Sequence, residues 1–154
     1  YPYDGLGTTE KEAVTYGMKG DRLSSLCYQS TREHFAIETT TSLFRKIIKY
    51  PVFIGSKLIG KDYFQKKLNQ LVELKEYEDS NYIGCVVWLS GGKKEIFLRK
   101  WFDETVMVPF EKYQFRVPKD YDEVLRHTYG DYMQLPPEKD RIGHHYFKAY
   151  RKDE

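Results

Sequence analysis

Tyr82-Ile83-Gly84-Cys85-Val86-Val87-Trp88-Leu89 is the stretch on which the fold class turns. It is rich in β-branched and aromatic residues and stops at Ser90-Gly91-Gly92, the composition and ending of a buried strand. Upstream of it the apolar residues recur at helical spacing. In 61–77, Phe64, Leu68, Leu71 and Val72 share one face while the other faces are charged, the pattern of a helix packed on a core. The block 40–58 carries Leu43, Phe44, Ile47, Ile48, Phe53, Ile54 and Leu58, which fits a helix kinked or broken at Pro51. Farther back, 9–35 reads as a helix capped by Thr8 or Thr9, with Glu10 and Glu12 in its first turn. Gly17 and Gly20 inside it mark a bend or a close packing contact.

Downstream, 105–111 and 113–117 form two short strand-like runs separated by one residue and closed by Pro118, a hairpin pattern. Residues 120–129 make a short helix stopped at Gly130. Helices and short strands together predict an α+β fold, with several helices packed around a small, incomplete sheet. Neither repeats nor a low-complexity linker divide the chain, so 1–154 reads as one domain.

The 154 residues can bury a single core without staples. A formal charge of +2, from 25 basic and 23 acidic residues, is too small to point to nucleic acid. Cys27 and Cys85 lie far apart with no CxxC spacing, which argues against a disulfide framework or zinc and favours a reducing, cytoplasmic setting. The most apolar stretch, 47–59, is interrupted by Lys49, Pro51, Gly55, Ser56 and Lys57, so no membrane span is predicted. Tyr1-Pro2-Tyr3-Asp4-Gly5-Leu6-Gly7 resembles the end of a strand running into a turn, as if the chain began in mid-fold.

The densest polar and aromatic constellation runs from Tyr129 to His145. Pro136 and Pro137 stiffen it after the Gly130 stop, so that Asp131, Arg141, His144 and His145 can be aimed at one place. Arginine offers a planar fork to phosphate, and histidine a proton donor. The competing reading is a packed terminal segment whose charges pair locally. His144 and His145 are adjacent and point apart on a regular element, which argues against a two-histidine metal site. Gly91-Gly92-Lys93-Lys94-Glu95 has the ingredients of an anion-binding turn but not the spacing of a phosphate-binding loop; an ordinary turn with solvated lysines explains it. Glu111 either accepts a ligand hydroxyl or pairs with a neighbour, and Asp120 and Asp122 read as helix-capping acids. GxSxG, HExxH, GxGxxG and paired Asp-x-Asp patterns are all missing from the sequence, so no catalytic or metal residue is assigned.

In order along the chain, several short strings resemble the LicD family of phosphocholine and phospho-sugar-alcohol transferases. Tyr1-Pro2-Tyr3-Asp4-Gly5 is similar to that family's FPLDG. Gly92-Lys93-Lys94-Glu95, Arg99-Lys100-Trp101-Phe102-Asp103, Val108-Pro109-Phe110-Glu111 and Val117-Pro118-Lys119-Asp120-Tyr121-Asp122 with Leu125 follow. Tyr129-Gly130-Asp131-Tyr132-Met133 and Leu135-Pro136-Pro137, with Arg141 and His144 beyond, complete the series. Lys112 stands where the family usually has Gly, and Leu98 where Pro is common.

The resemblance implies part of a nucleotidyltransferase-like fold and transfer of phosphocholine from CDP-choline, or ribitol phosphate in fukutin relatives. The acceptor would be a glycan, lipopolysaccharide or teichoic acid hydroxyl, with Mg or Mn neutralising the pyrophosphate in the complete protein. The family's metal-binding aspartates lie upstream of FPLDG, so the resemblance implies a C-terminal portion that is inactive alone and binds no metal itself. It would work in the cytoplasm, peripheral to the inner face of the membrane. Only accessory roles carry over: Lys94, Glu111, Arg141 and His144 would line the nucleotide or acceptor pocket. Two rival readings are a non-catalytic glycan- or protein-binding module and a regulatory domain binding nucleotide through the tail.

Overall fold

A computed structural model describes residues 2–35, 43–89, 91–135, 137 and 141, apart from the side chains of 43–46. Strand β1 (Asp4–Gly7) leads into helix α1 (Glu10–Thr31), followed by α2 (Leu43–Ile59) and α3 (Lys61–Val72). Strand β2 (Tyr82–Gly84), β3 (Phe97–Leu98) and a hairpin of β4 (Thr105–Phe110) and β5 (Tyr113–Pro118) come next, and α4 (Tyr121–Tyr129) follows. Two 3-10 turns, Gly92–Glu95 and Arg99–Phe102, flank β3. The described residues thus form an α+β arrangement with a three-stranded antiparallel sheet ordered β1-β2-β3 and a separate two-stranded sheet β4-β5.

Helix α1 starts where its sequence says it should. The Thr9 hydroxyl accepts from the Glu12 amide at 3.3 Å, and the Glu12 carboxylate reaches back to the Thr8 amide at 3.0 Å. Reciprocal capping of this kind satisfies two amides that the helix cannot pair. Ala13, Gly17 and Gly20 are the helix's buried seam. A Cβ on Gly20 would stand 2.3 Å from the Val86 carbonyl oxygen, and one on Gly17 would stand 2.4 Å from Leu89 Cδ1. Of the two sequence readings for these glycines, close packing is the observed one. Leu6, Ala13, Leu71, Val86, Leu89 and Ile96 form the core at this contact.

Several elements differ from the sequence reading. The predicted strand at 82–89 pairs only over Tyr82–Gly84. Beyond it the chain turns, with the Trp88 amide donating to the Cys85 carbonyl at 2.9 Å. The Val86 amide is taken by Asp4 Oδ2 at 3.0 Å rather than by a neighbouring strand, and α1 abuts the Val86 carbonyl. Val86 and Leu89 are buried because they face α1, whereas Val87 and Trp88 are exposed, so the run is neither paired nor buried along its whole length. Of the two readings for Pro51, the break is excluded, because helix α2 runs through it. Proline removes one amide donor, and exposure of Ile47 and Pro51 leaves the orphaned carbonyl within reach of solvent. Helix α3 ends at Val72, short of 77, where the Glu73 amide bonds Asn69 and Leu71 carbonyls.

The hairpin has a two-residue loop, Glu111-Lys112, instead of a one-residue break. Glu111 there holds a φ of 54°, the left-handed region that tight hairpin loops demand and that normally selects Gly or Asn. Helix α4 receives no side-chain cap from Asp120. Asp122 instead accepts from Arg126 Nε at 2.6 Å and from the Tyr132 hydroxyl at 2.7 Å, so capping does not explain it. Gly130, at φ 73°, closes the helix as expected.

Candidate functional site

The strongest concentration of fixed polar groups lies where β1 hands the chain to α1 beside β2 and β3. Gly7 ends β1 with a φ of 122°, and a Cβ there would run into the Glu12 side chain. The Asn81 amide donates to the Gly7 carbonyl at 3.0 Å, and Asn81 Nδ2 to the Thr8 carbonyl at 3.1 Å. Ser80 is buried; its hydroxyl accepts from the Gly7 amide at 3.2 Å and donates to the Glu76 carbonyl at 2.9 Å. Arg99 closes the arrangement, its amide on the Asn81 carbonyl and its Nε on the Ser80 carbonyl, both at 2.9 Å.

These contacts frame a cleft of about 270 Å³ lined by Thr8, Asn81, Tyr82, Leu98, Arg99 and Lys100. Arg99 lies over the Tyr77 ring at 6.0 Å, with Nη1 at 3.6 Å from carboxylate oxygens of Glu78 and Asp103. Its guanidinium is therefore held in one direction, while Lys100 beside it is exposed. The Arg99 guanidinium is largely committed to Ser80, Glu78 and Asp103, Asn81 Nδ2 to Thr8 and the Thr8 hydroxyl to Glu12 at 3.4 Å, which leaves the exposed Lys100 as the cation at the opening. The donors that remain suit phosphate oxygens or sugar hydroxyls. They supply binding and charge stabilisation rather than a nucleophile and its base.

Two neighbouring arrangements hold the cleft in shape. On one side Glu12 pairs with Lys75, and the Tyr16 hydroxyl donates to the Leu71 carbonyl, which fastens α1 to the end of α3. The hydrogen bond from Lys75, followed by that from the Thr8 amide, holds the Glu12 carboxyl below its ordinary value. On the other side Tyr3, Phe97 and Phe102 meet ring to ring at 5.2–5.8 Å, Phe102 edge-on to both and Tyr3 tilted against Phe97. His127 of α4 meets Phe97 and Trp101 and places Nε2 2.9 Å from the Lys93 carbonyl. Burial, and then the nearby Cys85 and Glu95, push the Tyr3 hydroxyl up. Asp4, which resembles the trailing acid of FPLDG, spends one carboxylate oxygen on the Val86 amide, a structural role.

The residues expected to line a pocket sit as follows. Lys94 is exposed on the 3-10 turn Gly92–Glu95, next to Lys93, which pairs with Glu10 at 3.2 Å. Glu111 is exposed at the hairpin tip, and Arg141 is exposed beyond α4. None of the three is among the described residues lining the cleft, and His144 lies outside the described residues. Sequence reasoning does not single out Arg99 and Lys100 as site residues, although they stand in the Arg99-Lys100-Trp101-Phe102-Asp103 string. The signal was a basic pair directly after a two-residue strand, which reads as surface charge until the turn Arg99–Phe102 folds it back on Ser80 and Asn81. Among the described residues no three His, Cys, Asp or Glu side chains gather to hold a cation, so these residues do not fit the divalent metal that the family resemblance implies. No helix among them is long and apolar enough to cross a membrane.

The chain is similar to the lipopolysaccharide cholinephosphotransferase LicD of Haemophilus influenzae, with 32% identity over 150 residues, 96% of its own length. It spans 54% of that relative, about half of it. No family model matches the chain, and no solved structure matches it. The long alignment bears out the resemblance to the LicD family drawn from the motif series.

Proposed function

We propose that this chain is part of a LicD-like transferase that moves phosphocholine, or a related phospho-alcohol, from a CDP-activated donor to a hydroxyl of a cell-surface glycan, lipopolysaccharide or teichoic acid. The observation that carries the reading is the similarity to a cholinephosphotransferase along 96% of the chain. In the proposed reaction an acceptor hydroxyl oxygen bonds to the phosphorus bearing the alcohol, the bond from that phosphorus to the bridging oxygen breaks, and CMP departs with the electron pair. The acceptor proton passes to a base that is not assigned among the described residues. The Mg or Mn that the family resemblance implies would be held by other residues of the complete, nucleotidyltransferase-like protein.

The part proposed for this chain is positioning. Lys100 lines the cleft as an exposed cation suited to a pyrophosphate, and Arg99, bonded to Ser80, Glu78 and Asp103, holds the wall beside it. Fixing such charge before reaction is a large share of phosphoryl-transfer catalysis. Lys94, Glu111, Arg141 and His144 keep the accessory roles of lining the nucleotide or acceptor pocket. The reaction would take place in the cytoplasm, at the inner face of the membrane.

The test is CMP release from CDP-choline by the full-length protein with Mg²⁺ or Mn²⁺ and a glycan acceptor. Lys100→Ala should lower kcat/KM about tenfold or more, with thermal stability unchanged, because an exposed lysine contributes charge and not packing. Absence of CMP release from CDP-choline and from other CDP-alcohols would sink the reading and leave a non-catalytic glycan- or protein-binding module. Turnover untouched by Lys100→Ala would remove the cleft from it.

A further inference from the structure

Helix α2 turns Phe53 and Ser56 inward and leaves the rest of its described apolar side chains outside. Ile47, Ile54 and Leu58 recur at i, i+7 and i+11, and Ile48, Val52 and Ile59 form a parallel row one residue on. That is the geometry of a single helical face, and it points away from the buried side: Ile47 is 71% exposed and Leu58 83%. Isolated apolar residues on a surface are ordinary, but six on one face of one helix are not.

The charge around this face says what covers it. Residues 47–67 contain Lys49, Lys57, Lys61, Lys66 and Lys67 against Asp62 alone, a net +4 in a chain whose total is +2. The remainder is acidic on balance, so the excess of positive charge belongs to α2 and the start of α3. Protein–protein interfaces are depleted in lysine at their cores. Lysine beside an exposed apolar stripe is the composition of a helix lying in a bilayer interface, where the alkyl stems extend and the ammonium groups meet anionic headgroups. Tyr50 and Tyr63, both about half exposed, add the amphipathic rings that favour the headgroup level.

We propose that α2 is an interfacial membrane anchor, seated parallel to an anionic lipid surface with Ile47, Ile54 and Leu58 in the acyl boundary and the lysines among the headgroups. The proposal does not rest on the transfer reaction, and its test reads no turnover. In sedimentation with vesicles, the full-length protein should partition onto membranes that are about one third phosphatidylglycerol and less onto pure phosphatidylcholine, with binding that weakens as salt rises. Leu58→Glu should lower the partition coefficient about tenfold or more, since it replaces a buried leucine by a carboxylate. Leu58 is exposed in this chain, so circular dichroism and melting temperature should stay as they were; a lowered melting temperature in Leu58→Glu would assign the face to the rest of the protein and overturn the proposal. Absence of vesicle binding overturns the proposal, as does binding that Leu58→Glu leaves intact. Self-association abolished by Leu58→Glu without any vesicle binding also overturns it and assigns the face to a second copy of the protein.

Discussion

Helix α1 is the more polar of the two longest helices and lies at the centre of the fold, whereas α2 is the more apolar and lies largely outside. The first carries Glu10, Lys11, Glu12, Lys19, Asp21 and Arg22 on its exposed and half-buried faces, yet touches β1, β2, α2 and α3. Its inward seam is Ala13, Gly17 and Gly20, spaced four and three apart. The second touches α1 and α3 and buries only Phe53 and Ser56 among its described side chains, while its isoleucines face solvent. Position in the core was decided by how closely the backbones approach, and small residues permit the closest approach. Side-chain hydrophobicity alone would have ranked these helices the other way.

The most damaging way to attack this contrast is Gly20→Val. Its Cβ would meet the Val86 carbonyl oxygen at 2.3 Å, a backbone atom in a turn that Asp4 also holds, so neither side can yield cheaply. Overpacking of this kind costs typically 1–3 kcal/mol, and a loss of about 3 kcal/mol is expected in denaturant unfolding. Gly17→Ala should cost less, because the obstructing atom is the end of the Leu89 side chain. Equal and small effects at both positions would mean that the glycine seam is not what seats α1.

The same helix carries an acid-sensitive clamp that α2 lacks among its described residues. Lys75 and Thr8 hold Glu12 below its ordinary value of 4.5, so the folded protein binds that proton less readily than the unfolded chain. A depressed carboxyl contributes stability in full above the unfolded value and loses it as the pH falls through the folded one. Thermal melts taken between about pH 6 and pH 3 should therefore show declining stability, with a flatter decline in Glu12→Gln. Asp122, held low by Arg126 and Tyr132, and Glu104, held low by Lys119, decline in the same direction. An unchanged slope in Glu12→Gln would transfer the acid sensitivity to those surface pairs.

What the sequence disclosed follows the same division. The Thr9 cap, the α3 face, the hairpin and the Gly130 stop were legible because each rests on contacts within a few residues. The strand at 82–89 was misjudged in length because its partner for Val86 is an acid 82 residues away. The Glu111-Lys112 loop was missed because a glutamate at positive φ violates the turn chemistry that reveals such loops. Arg99 and Lys100 were invisible as a site because the cleft is made by Thr8 and Asn81, which the sequence holds far from them. The tail string from Tyr129 onward resembled the family clearly, yet of the residues beyond Leu135 only Pro137 and Arg141 fall among the described ones.

The smallest effect sharpens the comparison from the other helix. Gly55 stands in the interior of α2, and a Cβ built there meets nothing within 4 Å. Glycine in a helix interior is less favourable than alanine by about 1 kcal/mol, through the backbone freedom it keeps in the unfolded chain. Gly55→Ala should therefore stabilise the protein by about 0.5–1 kcal/mol in denaturant unfolding, opposite in sign to Gly20→Val three helical turns into α1. Valine and alanine are both better helix formers than glycine, so propensity favours both substitutions and the opposite sign at Gly20 comes from the Val86 carbonyl that its Cβ meets. If Gly55→Ala were instead destabilising, something would have to approach α2 as closely as the Val86 turn approaches α1, and the open face would belong to a tightly packed contact rather than to a lipid surface.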